Sequence, residues 1–131
     1  MLLKFPAYIS LLAANVAGHI DEAEKQTAIK LAHIKTYTCD PLLTEFYKEA
    51  DKVFEQNLLQ LDNELPKDKE HRDEAIKNEL SKIEKIVVKL GHTYTETMHR
   101  SMKSFKDHVS RAHRNVLMYF VFPIPLEGIT D

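Results

Sequence analysis

The 131 residues are 44% hydrophobic and 29% charged, with a formal charge of −2, three glycines and five prolines. That balance excludes the disordered and collagen-like classes and suits one domain (residues 1–131) with a core of its own. The near-neutral total excludes wholesale binding to polyanions. A lone cysteine, Cys39, excludes an internal disulfide or a cysteine-based zinc cluster and points to a reducing, cytoplasmic compartment.

The first helix is predicted from Pro6 to about Ala17. Proline at the first helical position gives up no hydrogen bond that the helix would have made. Ala7, Tyr8, Ile9, Leu11, Leu12, Ala13, Ala14 and Val16 leave little polar face. Lys4, this apolar run and the small residues near Ala17 have the ingredients of a signal peptide. Pro6 interrupts the run, however, and it falls short of the ~20 residues of a membrane span. It therefore reads as a helix surrounded by others. Its own bundle or a second copy of the chain would shelter it equally. Gly18 is placed to take the left-handed conformation that ends it.

Asp21 opens the second helix. Its carboxylate can accept from the backbone near Glu24 while Glu24 reaches back, and both charges oppose the positive end of the helix dipole. Ala23, Thr27, Ala28, Leu31 and Ile34 recur at helical spacing to about Thr36. Asp40-Pro41 repeats the start signal for a third helix, whose stripe is Leu42, Leu43, Phe46, Ala50, Val53, Phe54, Leu58 and Leu61. Pro66 ends it by disfavouring the helical conformation at Leu65. A fourth helix is predicted from Asp68 to Leu90, with Ile76, Leu80, Ile83, Val87 and Leu90 inward and Gly91 as its stop. Thr93 with Glu96 reads as a second cap-and-reach pair opening the fifth helix. Its stripe is Tyr94, Met98, Met102, Phe105, Val109, Ala112, Val116 and Tyr119. Pro123 and Pro125 prevent continuation, so Val121 to Asp131 should be a non-helical tail, with Phe122, Ile124, Leu126 and Ile129 able to pack on the bundle. The expected fold is all-α, about five helices of which three are long, with no strand alternation and no internal repeat.

Gly18-His19-Ile20-Asp21-Glu22-Ala23-Glu24, after an apolar helix with alanines, resembles the first helix hairpin of the tellurite-resistance TerB-like family, Ala-x-x-x-Ala-Asp-Gly-x-Ile-x-x-x-Glu. The likeness covers residues 7–36; beyond it only helix lengths agree. It implies a small all-helical bundle linked to stress response and to protein complexes rather than to a defined reaction. It also implies a divalent cation as the one cofactor to consider. The chain departs from the pattern at Ala17, where the family has an aspartate, which puts a metal contact there in doubt. Asp21 and Glu24 match later acidic positions, and helix capping accounts for both.

Outside that junction, Glu96-x-x-His99 has the spacing that di-metal helical bundles use, and Asp68-x-x-His71 repeats it loosely. Asp21, Glu24, Glu96 and His99 are thus the candidate metal ligands, and a metal-dependent enzyme or sensor is the alternative function. A calcium loop is excluded at Asp62-Asn63-Glu64, which lacks the turn glycine. His19 is expected in solvent and His33 in a partly buried polar contact. Cys39 sits near a helix start that could lower its pKa, but no base is assigned to it. No phosphate-cradling loop, nucleophile elbow or dinucleotide fingerprint is present, so catalytic residues are not assigned.

The helix at 93–120 is the basic one. Residues 92–122 carry five Lys/Arg against two Asp/Glu, whereas residues 1–91 carry thirteen against sixteen. Arg100, Lys103, Lys106, Arg111 and Arg114 form the candidate partner-binding face. The simplest expectation is that the acidic remainder of the chain neutralises it; an acidic protein partner comes next. Weak nucleic-acid binding is the third, because no aromatic residue is interleaved for base stacking. The function expected from residues and resemblance together is a helical binding or adaptor module rather than an enzyme.

Overall fold

The computed structural model describes the backbone of residues 1–14 and 18–121, and the side chains of these as far as Ala112. Among them the chain forms five α-helices: α1 (Phe5–Ala14), α2 (Glu22–Thr38), α3 (Thr44–Glu64), α4 (Lys69–Val87) and α5 (His92–Val121). Short 3-10 turns, Leu2–Lys4, Pro41–Leu43 and Val88–Leu90, lead into α1 and α3 and out of α4. No strand is present among the described residues.

The most apolar helix is the central one. α1 packs against α3, α4 and α5, and Phe5, Pro6, Ala7, Tyr8, Ile9, Ser10, Leu11 and Ala13 are all buried. A helix without a polar face is stable in water only when neighbours cover it all round. Here the chain's own helices do so. α2 closes the bundle by lying on α3 and α5. Its buried residues are Ala28 and Ala32, small enough to let it approach both neighbours closely.

Local chemistry sets most of the boundaries. Gly18 has φ +81° and Gly91 φ +99°, the left-handed region that glycine enters without steric cost. Between Gly18 and α2 the capping box closes in both directions: the Glu24 amide donates to Asp21 Oδ1 at 2.7 Å and the Asp21 amide to Glu24 Oε1 at 2.9 Å. Asp21→Ala is expected to lower the unfolding free energy by about 1 kcal/mol, read as a lower urea midpoint at unchanged slope. Asp40 caps the turn at Pro41, Asp68 caps α4 through the His71 amide, and Leu65 is extended before Pro66.

Three expectations are corrected. The predicted stripe of α2 is rotated: Ala23 and Ile34 are exposed, Ile34 at 40%, and Ala32 takes the inward position. Leu42 and Leu90, expected inside, are 47% and 48% exposed. Both lie in 3-10 turns, whose three-residue period carries a side chain out of phase with the neighbouring α-helix. Finally, Thr93 and Glu96 do not cap α5. The helix begins one residue earlier, at His92, which puts Thr93 inside the first turn. The Thr95 hydroxyl serves the backbone there instead, donating towards Gly91 O at 2.7 Å and Val87 O at 3.1 Å. The predicted helix end at Ala17, Val16, the inward Val116 and Tyr119, and the tail from Phe122 lie outside the described residues. Val121, placed in the tail, is the last residue of α5.

Tyr47 was not on the α3 stripe but is 2% exposed, with its hydroxyl hydrogen-bonded to Ser101 on α5. Burial pushes its pKa from 10.0 to about 12. A folded pKa above the unfolded one means stability that is full below pH 10 and is lost as pH rises towards 12. Alkaline titration followed by tyrosinate absorbance should show one tyrosine ionising last, together with unfolding. Tyr47→Phe should remove that step.

Candidate functional site

The junction between α1 and α2 is held down by a buried ion pair. Asp62, near the end of α3, bonds the Arg72 guanidinium of α4, with only 8% and 1% of the two side chains exposed. The same carboxylate accepts from the Ile20 amide at 3.2 Å and lies 3.1 Å from His19 Nδ1. Arg72 also donates to the carbonyls of Asp62 and Pro66, and the Gly18 amide donates to Lys67 O at 2.7 Å. His19 is therefore not simply solvated. The Ile20, His19 and Gly18 bonds pin the Gly18 turn to the end of α3 and the α3–α4 loop, and Arg72 Nε is buried without a partner.

The candidate metal ligands fall into three separate contacts. Asp21 and Glu24 are tied to each other by the capping box. Glu96 lies 3.2 Å from His92 on its own helix. His99 reaches across to Glu84 of α4 at 2.8 Å. His33 with Asp51 and His71 with Asp68, each at 2.8 Å, repeat the arrangement elsewhere. Five histidines, His19, His33, His71, His92 and His99, thus each meet a single carboxylate, a different one in each case. Among the described residues no three His, Cys, Asp or Glu side chains come close enough to hold a metal ion. Cys39 is half-buried, with Thr44 Oγ1 at 4.0 Å as its polar neighbour.

An open groove of about 630 Å³ runs between α1, the end of α3 and α4. Tyr8 lines it, opposite Glu64, Glu79, Lys82 and Lys85. Burial, then Glu79 and Glu64, raise the Tyr8 pKa, which leaves its hydroxyl a neutral donor rather than a nucleophile.

The basic face differs from all of these. Arg100, Lys103, Lys106 and Arg111 are exposed on α5. Some cations on the other helices have partners on their own helix: Lys25 with Glu22, Lys52 with Glu49, Lys69 with Asp73, Lys82 with Glu79. Among the described residues no carboxylate lies within ion-pair distance of the four on α5. Arg100 reaches only the Thr97 hydroxyl, at 3.5 Å. The acidic remainder thus makes no direct ion pair with these four among the described residues. α3, which holds much of the acid, and α5 both pack on α1 and α2 and meet across the core through Phe54–Phe105 and Tyr47–Ser101; Glu45, Glu49 and Glu55 are exposed on α3. Arg114 lies outside the described side chains.

A residue that the sequence reading passed over joins this face. Lys35 of α2 extends its ammonium across the seam to Ser104 Oγ of α5, at 3.3 Å. The available signal was its phase: seven residues after Ala28 and three after Ala32, it lies on the buried side of α2.

No helix among the described residues is long and apolar enough to cross a membrane. Comparison of the chain with protein-family models, with curated proteins and with solved structures gives no match.

Proposed function

We propose that the chain is a cytoplasmic helical binding module, TerB-like in kind, that engages a protein partner through the cationic face of α5. One observation carries this reading: Arg100, Lys103, Lys106 and Arg111 stand exposed on a single helix, with no carboxylate of the described residues within ion-pair distance of any of them. A partner's carboxylates would supply what the chain itself does not. Such complementarity governs association rate and choice of partner more than raw affinity. A protein is favoured over nucleic acid because Glu96 and Asp107 interrupt the basic run and no aromatic side chain shares it.

The likeness of residues 7–36 to the TerB-like hairpin extends the proposal to stress response or tellurite resistance, with a divalent cation modulating the contact. Unfolding curves recorded with chelator and with added calcium or magnesium test the cation; identical midpoints would remove it. The partner reading is tested by affinity capture from nuclease-treated extract. The wild-type chain is expected to retain a defined protein that rebinds when purified. The variant carrying Arg100→Glu, Lys103→Glu and Lys106→Glu is expected to lose it. Equal retention by both chains would sink the reading.

A further inference from the structure

The cationic face has a fixed point at its edge. Arg100, Ser104 and Arg111 are four and seven residues apart, so they fall on one stripe of α5. Their Cα atoms are about 6 Å and 10 Å apart along the axis at 1.5 Å per residue. Lys35 reaches this stripe from α2, and Ser104 is the partner found for its ammonium. An ammonium carries three donors, and no carboxylate lies within ion-pair distance of this one among the described residues. Arg100 and Arg111 have exposed side chains, whereas Lys35 is half-buried and held by the seam. Burial lowers its pKa, so the charge is kept there at a cost that an arriving anion would relieve. The one carboxylate on α5 between Arg100 and Arg111 is Asp107.

Resting on the reading just given, we infer that Lys35 and Ser104 form the anchor of an acidic-peptide site across the α2–α5 seam, with Arg100 and Arg111 as flanking cations. A glutamate or aspartate of the partner accepts from the Lys35 ammonium and the Ser104 hydroxyl. Carboxylates about one turn away on one side and two turns on the other meet Arg100 and Arg111. The occupant is an acidic protein segment: three cations on a line match carboxylates repeating along a helix, and the face has no stacking surface for bases.

The probe is a fluorescein-labelled Glu/Ala helical peptide, with a Gln/Ala peptide and a single-stranded oligonucleotide as comparisons, read by anisotropy at low salt. Lys35→Gln is expected to weaken binding of the acidic peptide about tenfold, as for loss of a charged hydrogen bond. Lys103→Gln, the same charge change on an exposed lysine of α5, is expected to cost about twofold. Equal weakening by the two would overturn the anchor and leave the basic-face reading standing. Failure of the wild-type chain to bind the acidic peptide, or tighter binding of the oligonucleotide, would overturn both. Backbone resonances of the wild-type chain give a readout independent of how the variants fold. Shifts centred on Lys35 and Ser104 support the anchor, and shifts on α5 that leave Lys35 and its neighbours on α2 unmoved refute it.

Discussion

Asp62→Ala is expected to lower the unfolding free energy by about 3–5 kcal/mol, a large part of what a domain of this size has. The loss follows from what remains: the Arg72 guanidinium, 1% exposed, keeps its charge with no anion beside it. The Ile20 amide and His19 lose their acceptor in the same change, so the Gly18 turn comes loose from the α3–α4 loop. The pair itself contributes less than its removal costs, because burying two charges offsets most of their attraction. Asp62→Leu combined with Arg72→Met should therefore recover much of the loss, leaving chiefly the bonds that Asp62 makes to Ile20 and His19. Urea titrations of the two single variants and the double variant measure this as a coupling energy. A double variant no more stable than either single one would show that the turn, rather than the orphaned charge, carries the cost.

Phe105→Ala is expected to destabilise by about 3–5 kcal/mol for a different reason. Phe105 is fully buried on α5 and meets Phe54 of α3 edge to face, with ring centroids 6.4 Å apart and planes at 84°. Truncation removes the transfer energy of the ring and leaves a cavity at the contact between two long helices. Lys106→Ala, one residue on and exposed, should stay within about 0.5 kcal/mol. Thermal unfolding of the pair separates loss of the core from a general effect of altering α5. A Phe105→Ala midpoint within error of the Lys106→Ala one would refute the burial of Phe105 against Phe54.

These two predictions differ in how much of them a reader of the chain could anticipate. Phe105 follows from its spacing with Met98, Met102 and Val109, since helical period alone puts it inward. Asp62 does not. Its partners lie 10, 42 and 43 residues away, and the nearby residues show only an acidic stretch at a helix end. Lys35 and Ser104 are 69 residues apart and equally silent. The exposed cations of α5 were legible, because periodicity sorts inner from outer faces. Their lack of carboxylate partners was not, because that depends on which way the outer face of α3 turns. The capping box at Asp21 and Glu24 was read correctly, and the similar pair at Thr93 and Glu96 was not. Gly91 started α5 a residue early and Thr95 took the backbone bonds.

What the chain by itself determined is the set of helices: their number, most of their ends and most of their inner faces. Caps, glycine turns, prolines and apolar spacing act over one or two turns, so the residues that decide them are adjacent in sequence. Tertiary structure alone decided that α1 is wrapped by its own bundle and that an Asp62–Arg72 pair locks the Gly18 junction. It also decided that the candidate metal ligands go to separate partners and that Lys35 joins the cationic stripe of α5. Each depends on which helix lies against which, and at what rotation. Side-chain packing sets that rotation across dozens of residues, beyond the reach of any local pattern.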